Sequence, residues 1–503
     1  MSLKKDKSIN VEIKKFIEDR HKLGKLVLVS GDFNILHPGH IRLLRFAKEC
    51  GDHLVVAINA DILIKNPDYN GEHHRADVVS SLGFVDYCFI SELDIHNLIY
   101  TVKPDIVVKG KEFEAKNNPE EMALVNFGGK LIFSSGYTFQ KSTSIFSEHN
   151  NNPNINIEKI RRYMAHHRID RKRIESILDK IIDLNVVVIG DSIVDEYLQC
   201  NAIGMSQEDP TIVVTPDEEM LFLGGAAITA GHAKGLGAKT VSFYSVLGAD
   251  DGSDFAQEKL NDYQLESMIF TDSTRPTTKK RRYRVANKTL LRVNTFRDHD
   301  ISLEIQDLIF DRLRRNIDQA SLVILSDFNY GALPQSLVNK IISVCKEKNI
   351  FIAADSQTSS QIGDISRFSG VDLIMPTERE LRISSNNNRD GLVVLAEKLR
   401  QQMGCTNIVI TLADEGALLH LGNGNSWEND KIAALATNAL DPAGAGDCML
   451  SATAMSLACG ADLWLATLIG SVAAACQVSK VGNQPLHLSE LRSTIDRLCH
   501  VSV

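Results

Sequence analysis

A run of small residues followed by an aspartate is the first part of the chain that could do chemistry. Residues 441–447 read DPAGAGD, and the stretch 448–459 that follows is apolar or small. Small residues let backbone N–H groups turn toward one point, and a helix that begins there adds the partial positive charge of its N-terminus. Such a corner holds an anion, and Asp447 is placed to take a proton from an alcohol that attacks a phosphoryl group. The alternative is an ordinary glycine-rich loop capped by an aspartate.

Two histidines three residues apart form a second candidate site. A strand-like segment, 25–30, is followed by GDFNILHPGH and then by a helical pattern over 41–50. His37 and His40 would stand at the helix entrance, where both imidazoles and the helix N-terminus can face an anion. This arrangement suits a phosphate whose charge changes during a reaction. A zinc pair or two surface histidines are the alternatives.

Carboxylates recur at the ends of apolar segments in the second half of the chain. Asp191, Asp327 and Asp355 each follow a strand-like run. In a parallel sheet the strand ends line one edge, and ligands bind outside the carboxyl ends. We therefore predict that these aspartates gather at one site, although each alone is equally well explained as a helix N-cap.

The elements that must position these residues alternate between strand-like and helix-like segments, which predicts an α/β fold. A chain of 503 residues exceeds what a single core usually supports. The polar stretch SEHNNNPNIN at 147–156 has the composition of an exposed connector. We predict a first domain over residues 1–148, a linker and connecting helix over 149–182, and a second domain over 183–503.

Composition excludes several classes of protein. Hydrophobic residues make up 44% of the chain and charged residues 24%, as in globular proteins, and no apolar run has the length of a membrane span. The net charge of −9 argues against a nucleic-acid surface. The first twenty residues lack the apolar core of a secretory signal, so we expect a cytoplasmic protein. Nine cysteines without a C-x-x-C pair indicate reduced thiols.

Three motifs of the first half occur together: HPGH at 37–40, VKPDIVVKGKEF at 102–113 and KSTSIF at 141–146. Their order and spacing resemble the cytidylyltransferase-like nucleotidyltransferases, and in particular the adenylyltransferase half of the heptose-phosphate enzymes. The resemblance implies a Rossmann-like domain in which His37 and His40 stabilise the α-phosphate during attack by a sugar 1-phosphate. It assigns the following residues to the nucleotide and its phosphates: Gly31, Asn34, Lys109, Ser142, Thr143 and Ser144. For Lys109, a solvated lysine at a strand end is the alternative.

The first half departs from that family in two places. Asn34 stands where the family usually has an acidic residue, and the segment 65–75 is shorter than its counterpart, so that Arg75 takes the place of the family's arginine. Both changes leave open whether the nucleotide is ATP or CTP.

The second half carries GDSIVDEY at 190–197, LGGAA at 223–227, TLADEGALL at 411–419 and DPAGAGD, in this order. The series resembles the ribokinase-like (PfkB) sugar kinases, and most closely the kinase half of the heptose-phosphate enzymes. The resemblance implies ATP- and Mg²⁺-dependent phosphorylation of the anomeric oxygen of a sugar 7-phosphate, with Asp447 as the base. It assigns Asp191, Asp195, Gly224, Gly225, Lys279 and Arg292 to the sugar phosphate, Gly444, Ala445 and Gly446 to the anion hole, Thr411 and Gly416 to ATP, and Glu380 to indirect Mg²⁺ binding. For the cationic run that begins at Lys279, a charged lid strand facing water is the alternative.

Three positions depart from the kinase pattern. Ile228 and Thr377 stand where the family has asparagine, and Gln357 stands where it has lysine. The order of the two halves is also the reverse of the usual fusion. These departures leave the identity of the sugar open.

Together the resemblances imply a bifunctional enzyme of nucleotide-sugar synthesis. The kinase would phosphorylate D-glycero-D-manno-heptose 7-phosphate, and the transferase would form ADP-heptose for lipopolysaccharide and release pyrophosphate. The alternatives are another sugar or CTP, or a protein that binds nucleotide and sugar phosphate without turnover. We also expect a homodimer through the kinase domain, with the alanine-rich stretch 466–475 as either core or contact surface.

Overall fold

The computed structural model describes residues 24–34, 36, 38–64, 70–110, 113, 118–126, 128–134, 157–285, 288–358, 361–424, 426–436 and 439–500. These residues form two compact units. The N-terminal unit contains the described residues up to 134 together with 387–398, and the C-terminal unit contains 157–386 and 399–500. The predicted connector at 147–156 lies outside the described residues.

The N-terminal unit is built on a five-stranded parallel sheet with the strand order β3-β2-β1-β4-β5. Its strands are short apolar runs, and Leu26–Val29 of the central strand are almost completely buried. The order reverses between β1 and β4, and a ligand crevice is expected at such a reversal. The strands are β1 Leu26–Gly31, β2 His53–Asn59, β3 Tyr87–Ser91, β4 Ile106–Gly110 and β5 Lys130–Ser134. The helices are α1 Pro38–Glu49, α2 Glu72–Ser80, α3 Ile95–Val102 and α4 Pro119–Val125.

The C-terminal unit has a nine-stranded sheet of order β10-β9-β6-β13-β14-β15-β16-β17-β18. All neighbouring pairs are parallel except those of β17 with β16 and β18. The strands are β6 Asn185–Gly190, β9 Thr240–Leu247, β10 Glu266–Thr271, β13 Leu322–Asp327, β14 Phe351–Ser356, β15 Leu373–Ile374, β16 Asn407–Thr411, β17 Ala417–Asn423 and β18 Ser426–Ile432. The α/β fold class predicted from the sequence is confirmed.

A second sheet of the C-terminal unit has four strands in the order β12-β11-β7-β8. Two of them, β7 and β8, are 14 residues long and run antiparallel. We call this sheet the lid sheet. Its strands are β7 Ser192–Met205, β8 Ile212–Gly225, β11 Lys279–Val285 and β12 Lys288–Thr295.

The helices of the C-terminal unit cover the large sheet. Three of them, α7, α13 and α14, are rich in small and apolar residues and almost fully buried, because they lie in the core of the unit. The alanine-rich stretch 466–475 lies in α14 and belongs to this core. The helices are α5 Ile157–His166, α6 Arg171–Ile181, α7 Ala226–Gly235, α8 Asp251–Asp262, α9 Leu303–Asn316, α10 Gln335–Glu347, α11 Glu378–Ser384, α12 Leu392–Met403, α13 Ala445–Ala458, α14 Leu463–Gln477 and α15 Leu488–His500. Residues 392–398 of α12 belong to the N-terminal unit, and residues 399–403 belong to the C-terminal unit.

The nine cysteines are free thiols, and six of them are buried, as the sequence predicts. Among the described residues, none of the helices combines the length and the apolar character that spanning a bilayer requires.

Candidate active sites

The glycine-rich run of the C-terminal unit forms the entrance of helix α13. Gly444 has φ of 73° and is the N-cap residue, with Ala445 as the first residue of the helix. A Cβ at Gly444 would lie 2.2 Å from Oδ1 of Asn483, so both the backbone angle and the space require glycine there. A Cβ at Gly446, by contrast, would meet no atom within 4 Å among the described residues. The helix entrance therefore faces open space at Gly446, as an anion site requires.

Asp441 holds this loop in place, a role that the sequence analysis missed. Its Oδ1 accepts a hydrogen bond from the N–H of Ala443, and its Oδ2 accepts one from the N–H of Gly482, both at 3.1 Å. The guanidinium of Arg284, 3.3 Å from Oδ2, pairs with the same carboxylate. The loop is thus tied to the chain beyond α14 and to strand β11 of the lid sheet.

Asp447 lies in the first turn of α13 and is 6% exposed. Its Oδ1 accepts hydrogen bonds from Nε2 of Gln357 at 3.1 Å and from the hydroxyl of Thr229 at 3.5 Å. Burial raises the pKa of Asp447 to about 7, against the opposing charge of Lys280, and the carboxylate of Asp195 adds to the rise. A carboxylate with a pKa close to neutral pH is well matched to general-base catalysis.

The three strand-end carboxylates gather at one edge of the large sheet, as predicted. They follow or end the adjacent strands β6, β13 and β14, which pair in parallel register. Both oxygens of Asp191 accept backbone N–H groups of the segment after β13, from Phe328, Tyr330 and Ala332, at 2.8–3.3 Å. Burial, followed by the charge of Asp191, raises the pKa of Asp327 to about 7. Because Asp191 accepts three backbone N–H groups from the loop after β13, it fixes the conformation of that loop.

Asp355 is the third member of this group, and its side chain is buried. Its Oδ1 makes no hydrogen bond with the residues that the structure describes. Burial raises the pKa of Asp355 well above its usual range, and the carboxylates of Glu380 and Asp447 add to that rise. An unpaired buried carboxylate oxygen among other carboxylates is suited to a cation.

Asp195 lies on β7 and connects the lid sheet to the loop after α14. Its Oδ1 pairs with Arg282, and its Oδ2 accepts a hydrogen bond from Nδ2 of Asn483 at 2.9 Å. Gly224, on the neighbouring strand β8, leaves room for this carboxylate, because a Cβ there would lie 2.4 Å from Oδ2. Gly225 has φ of 64° at the start of α7. The predicted sugar residues Asp195 and Gly224 are thus in direct contact.

The cationic strand β11 divides into two faces because side chains alternate along a strand. On one face, Lys280, Arg282 and Arg284 point toward the carboxylates, where Arg282 pairs with Asp195 and Arg284 with Asp441. Lys280 is 5% exposed with Nζ 4.8 Å from the centre of the Phe328 ring, and burial lowers the pKa of Lys280 to about 8.

Lys279 lies on the opposite face of β11. Its neighbour on that face, Arg281, pairs with Glu196 at 2.7 Å, and the charge of Lys279 acts on the same glutamate. Arg292, on β12, stands opposite Arg282 in the register and on the same face, and its charge acts on Lys280. Arg292 is thus exposed but on the same face as the inward cations, and Lys279 lies on the opposite face. Because side chains alternate along a strand, the spacing of two residues in the sequence indicates that Lys280, Arg282 and Arg284 share one face of β11.

The remaining predicted kinase residues lie at the carboxyl ends of β15 and β16. Thr411 ends β16 and bridges to Thr377, and Gly416 follows with φ of 101°. Thr377 forms a capping box with Glu380 at the start of α11. Both oxygens of Glu380 accept backbone N–H groups, from Thr358 at 2.6 Å and Thr377 at 2.8 Å. Thr377 therefore fixes the start of α11 and the carboxylate of Glu380, at the position where the resemblance implies asparagine.

A cleft of about 760 Å³ opens in the N-terminal unit at the carboxyl ends of β1 and β4, where the strand order reverses. Four of the predicted residues line it: Gly31, Asn34, His40 and Lys109. His37, Ser142, Thr143 and Ser144 lie outside the described residues.

The turn between β1 and α1 presents His40 to this cleft. Phe33 has φ of 46°, a left-handed angle that is uncommon for a bulky residue, and its ring packs edge-on against His40 with the centres 5.1 Å apart. Asn34 accepts the N–H of Asn70 at 2.7 Å through Oδ1. Strain of this kind clusters at functional sites.

Lys109 points toward an acidic partner inside the cleft. Its Nζ lies 2.6 Å from Glu120 and 3.0 Å from Oδ1 of Asn118, and it stands over the Phe113 ring at 4.8 Å. A phosphate at this lysine would share it with Glu120.

Arg75 is buried and stabilises the N-terminal unit through hydrogen bonds. It is 1% exposed, and its guanidinium donates to the carbonyl oxygens of Asp32, Asn59 and Asn70 and to the carboxylate of Asp61, at 2.5–2.9 Å. Asp32 in turn accepts a hydrogen bond from Nδ2 of Asn59 at 2.7 Å. Arg75 thus holds together the segments after β1 and β2, which form one wall of the cleft.

Two family models match the chain. Residues 183–489 match the pfkB family of carbohydrate kinases, and residues 28–162 match the cytidylyltransferase-like family. A relative from Pelobacter propionicus, named bifunctional protein HldE, is 29% identical over 65% of this chain and 66% of its own length. The protein of the same name from Helicobacter hepaticus is 30% identical over 61% of this chain and 62% of its own. The match thus spans less than two thirds of the length of each relative.

Among solved structures, phosphofructokinase-2 from Escherichia coli superimposes with a TM-score of 0.51 at 14% identity, over 63% of this chain and 99% of the enzyme. At that identity the likeness shows a shared fold alone. The family match covers more than half of the chain, from before β6 to the start of α15. The chain belongs to the pfkB family of carbohydrate kinases, with a cytidylyltransferase-like region on the N-terminal side of its kinase region.

Proposed function

We propose that this protein is a bifunctional enzyme of nucleotide-sugar synthesis. The C-terminal unit phosphorylates the anomeric oxygen of D-glycero-D-manno-heptose 7-phosphate with ATP. The N-terminal unit transfers a nucleotidyl group from ATP to a heptose 1-phosphate, giving ADP-heptose and pyrophosphate. The choice of sugar and nucleotide rests on the resemblance of both halves to the heptose-phosphate enzymes, and the relatives named as bifunctional proteins support it.

The observation that carries the kinase proposal is the position of Asp447. A buried carboxylate with a pKa near 7 stands in the first turn of a helix whose glycine-rich entrance is open at Gly446. Asp447 takes the proton of the anomeric hydroxyl, and the helix entrance neutralises the charge that develops on the transferred phosphoryl group. Because both features are on one turn of α13, the acceptor oxygen and the phosphoryl group meet there.

The inward cations of the lid sheet support a sugar that already carries a phosphate. Lys280 is close enough to Asp447 and Asp195 for their charges to act on each other, and Arg292 adds a cation on the same face. Guanidinium groups suit phosphate oxygens because they donate two parallel hydrogen bonds. In this proposal Lys280 and Arg292 hold the 7-phosphate, while Asp195 orients the sugar hydroxyls.

The carboxylates at the sheet edge fit Mg²⁺. Magnesium prefers oxygen ligands and is usually held through one or two carboxylates, with water completing its shell. Asp355 offers the buried oxygen that makes no hydrogen bond with described residues, and Glu380 lies beside it with both oxygens already accepting backbone N–H groups. Asp355 would bind the ion and Glu380 would act through water. When bound, the ion supplies positive charge for the phosphate oxygens of ATP.

The cleft of the N-terminal unit supports nucleotidyl transfer. Its position at the strand-order reversal is the usual place for a nucleotide in such a sheet, and His40 and Lys109 supply groups for phosphate. In this proposal His37 and His40 stabilise the α-phosphate, and Ser142, Thr143 and Ser144 hold the remaining phosphates. Asn34 faces the nucleotide without the charge of an acidic residue.

A substrate panel tests both reactions. The full chain is incubated with ATP, Mg²⁺ and each of several sugar phosphates, and ADP, pyrophosphate and nucleotide-sugar are measured by mass spectrometry. We expect ADP with heptose 7-phosphate, and pyrophosphate with heptose 1-phosphate. Asp447→Asn abolishes ADP formation only, and His40→Ala abolishes pyrophosphate formation only. A panel without sugar-dependent ADP or pyrophosphate would show a binding protein. The heptose 1-phosphate reaction is repeated with CTP in place of ATP, and pyrophosphate formed only with CTP would show that CTP is the nucleotide.

We further propose a cytoplasmic protein that pairs through the lid sheet of its kinase region. The support for pairing is a set of large apolar side chains that the lid sheet leaves exposed: Ile203, Met205, Ile212, Leu290, Leu291 and Val293. Sedimentation of the wild type and of Leu291→Asp tests this proposal, since only the wild type should sediment as a dimer.

A further inference from the structure

Two adjacent histidines and a buried aspartate meet outside both candidate active sites. His166 is the last residue of α5, His167 follows it, and Asp430 lies on β18 at the edge of the large sheet. Oδ2 of Asp430 is 3.3 Å from Nε2 of His166 and 2.7 Å from Nε2 of His167. One ligand atom from each residue can be chosen so that all three lie within 4.8 Å of one another, and the described residues contain no other such group.

The surroundings hold these three groups in fixed orientations. The ring of His167 is stacked on Trp464 with the ring centres 4.8 Å apart and the planes 9° from parallel. The ring of Tyr163 also packs against His167, with the ring centres 4.5 Å apart, and its hydroxyl donates to the carbonyl oxygen of Trp464 at 3.1 Å. Oδ1 of Asp430 accepts the N–H of Lys431 at 2.6 Å, which leaves Oδ2 directed at the imidazoles. Such supporting contacts orient the ligands at metal sites.

We propose that His166, His167 and Asp430 bind a divalent transition-metal ion of the zinc class. Imidazole nitrogen and carboxylate oxygen bind zinc at about 2.0–2.2 Å, and a tetrahedral arrangement at those lengths separates ligand atoms by about 3.3 Å. Nε2 of His166 and Oδ2 of Asp430 already have that separation. Nε2 of His167 and Oδ2 of Asp430, now 2.7 Å apart, would move apart by roughly 0.6 Å to admit the ion. Two imidazoles in the set favour zinc, cobalt, nickel or copper over magnesium.

The position of the three residues gives the ion a structural role. It would join the C-terminal end of α5 to β18, since the ligands come from both elements. Water or a further ligand completes the coordination, because the set provides three protein atoms. Metal binding to the folded chain also stabilises it, since the unfolded chain does not hold these ligands together.

Metal titration of the full chain tests the proposal. The protein is stripped with chelator and titrated with Zn²⁺ or Co²⁺ alone, without ATP or sugar, and binding is followed by equilibrium dialysis and by visible absorption of Co²⁺. We expect one equivalent with the absorption of four-coordinate Co²⁺ and without a thiolate band. His166→Ala should weaken this binding by more than about 100-fold, since loss of even an outer partner costs roughly 10–100-fold.

Controls separate this site from other ligands in the chain. His487→Ala removes an exposed histidine elsewhere in the C-terminal unit and should bind as the wild type does. Asp430→Asn keeps the size of the side chain and should lose the same equivalent as His166→Ala. Zn²⁺ should raise the melting temperature of the wild type and of His487→Ala, but not that of His166→Ala or Asp430→Asn. Equal binding by wild type and His166→Ala, or loss of the equivalent in His487→Ala, would show that the three residues form only a hydrogen-bonded group.

Discussion

Gln357 donates a hydrogen bond from Nε2 to Oδ1 of Asp447 at 3.1 Å. The family that the sequence resembles has lysine at this position, so a neutral amide replaces a cation beside the proposed base. The contact lowers the pKa of Asp447 less than a full positive charge would, and burial raises that pKa to about 7.

Gln357→Lys should therefore shift the pH dependence of the kinase. The base must be ionised, so activity of the wild type rises as pH increases through about 7. A lysine ammonium beside Asp447 favours the carboxylate and should move this rise to lower pH by roughly one unit or more. The measurement is kcat/KM for ADP formation from pH 5 to 9. Gln357→Met, which removes the hydrogen bond without adding charge, should move the rise upward, and unchanged profiles in both variants would contradict Asp447 as the titrating base.

Asp447→Asn should stabilise the protein at high pH while it abolishes ADP formation. The pKa of Asp447 is raised from 3.8 to about 7 on folding, so the folded chain binds the carboxyl proton more tightly than the unfolded chain does. Proton binding to Asp447 therefore stabilises the fold, and this stabilisation is lost as pH rises through about 7. At pH 8 the neutral amide avoids burying a charge, and the gain in unfolding free energy should reach up to about 4 kcal/mol. The measurement is urea unfolding of both proteins at pH 5 and pH 8. An equal gain at both values would show that ionisation of Asp447 does not cause it.

Gly444 and Gly446 should respond differently to the same change. Gly444→Ala places a side chain at φ of 73° and 2.2 Å from Asn483, so we expect a loss of roughly 1–3 kcal/mol in stability together with loss of kinase activity. Gly446→Ala adds a Cβ that meets no described atom within 4 Å, so stability should change by less than about 1 kcal/mol. ADP formation should nevertheless fall, because the methyl group enters the space proposed for the phosphoryl group. A fully active Gly446→Ala would place the phosphate elsewhere.

Local sequence patterns were sufficient for the fold class and for the edge where the strand-end carboxylates gather. Apolar runs of strand length followed by aspartate predict that edge because parallel strands end on one side. The glycine-rich entrance of α13 was also visible in the chain, since a left-handed residue and small neighbours require glycine.

Contacts between distant residues were not accessible in this way. Asp441 binds the N–H of Gly482, and Asn483 binds Asp195 across 288 positions of sequence. Which face of β11 points inward depends on how the lid sheet packs, so the sequence does not separate Lys279 from Lys280, which the structure places near the carboxylates. Local propensity contains no information on such pairs.

Lys280→Met and Lys279→Met test which face of β11 serves the kinase. Lys280 is buried near Asp195 and Asp447, whereas Lys279 lies on the face of Glu196. We expect Lys280→Met to raise KM for the sugar phosphate by about tenfold or more, since a charged hydrogen bond is worth roughly 1.5–3 kcal/mol. Lys279→Met should keep KM within about twofold. Steady-state kinetics with the sugar phosphate varied measure both values, and an effect confined to Lys279→Met would reverse the assignment of the faces.

Arg75→Met and His40→Ala should separate structure from chemistry in the N-terminal unit. Arg75 is buried and donates to three backbone carbonyl oxygens, so its loss leaves these acceptors unpaired and should cost roughly 3 kcal/mol or more. His40 faces the cleft and is partly exposed, so His40→Ala should unfold at a urea concentration close to that of the wild type. Pyrophosphate formation should be lost in both variants, while urea unfolding should show a weakened N-terminal unit only for Arg75→Met. If His40→Ala formed pyrophosphate at the wild-type rate, His40 would not contact the reacting phosphate, and a stable but inactive Arg75→Met would give Arg75 a direct part in the transfer.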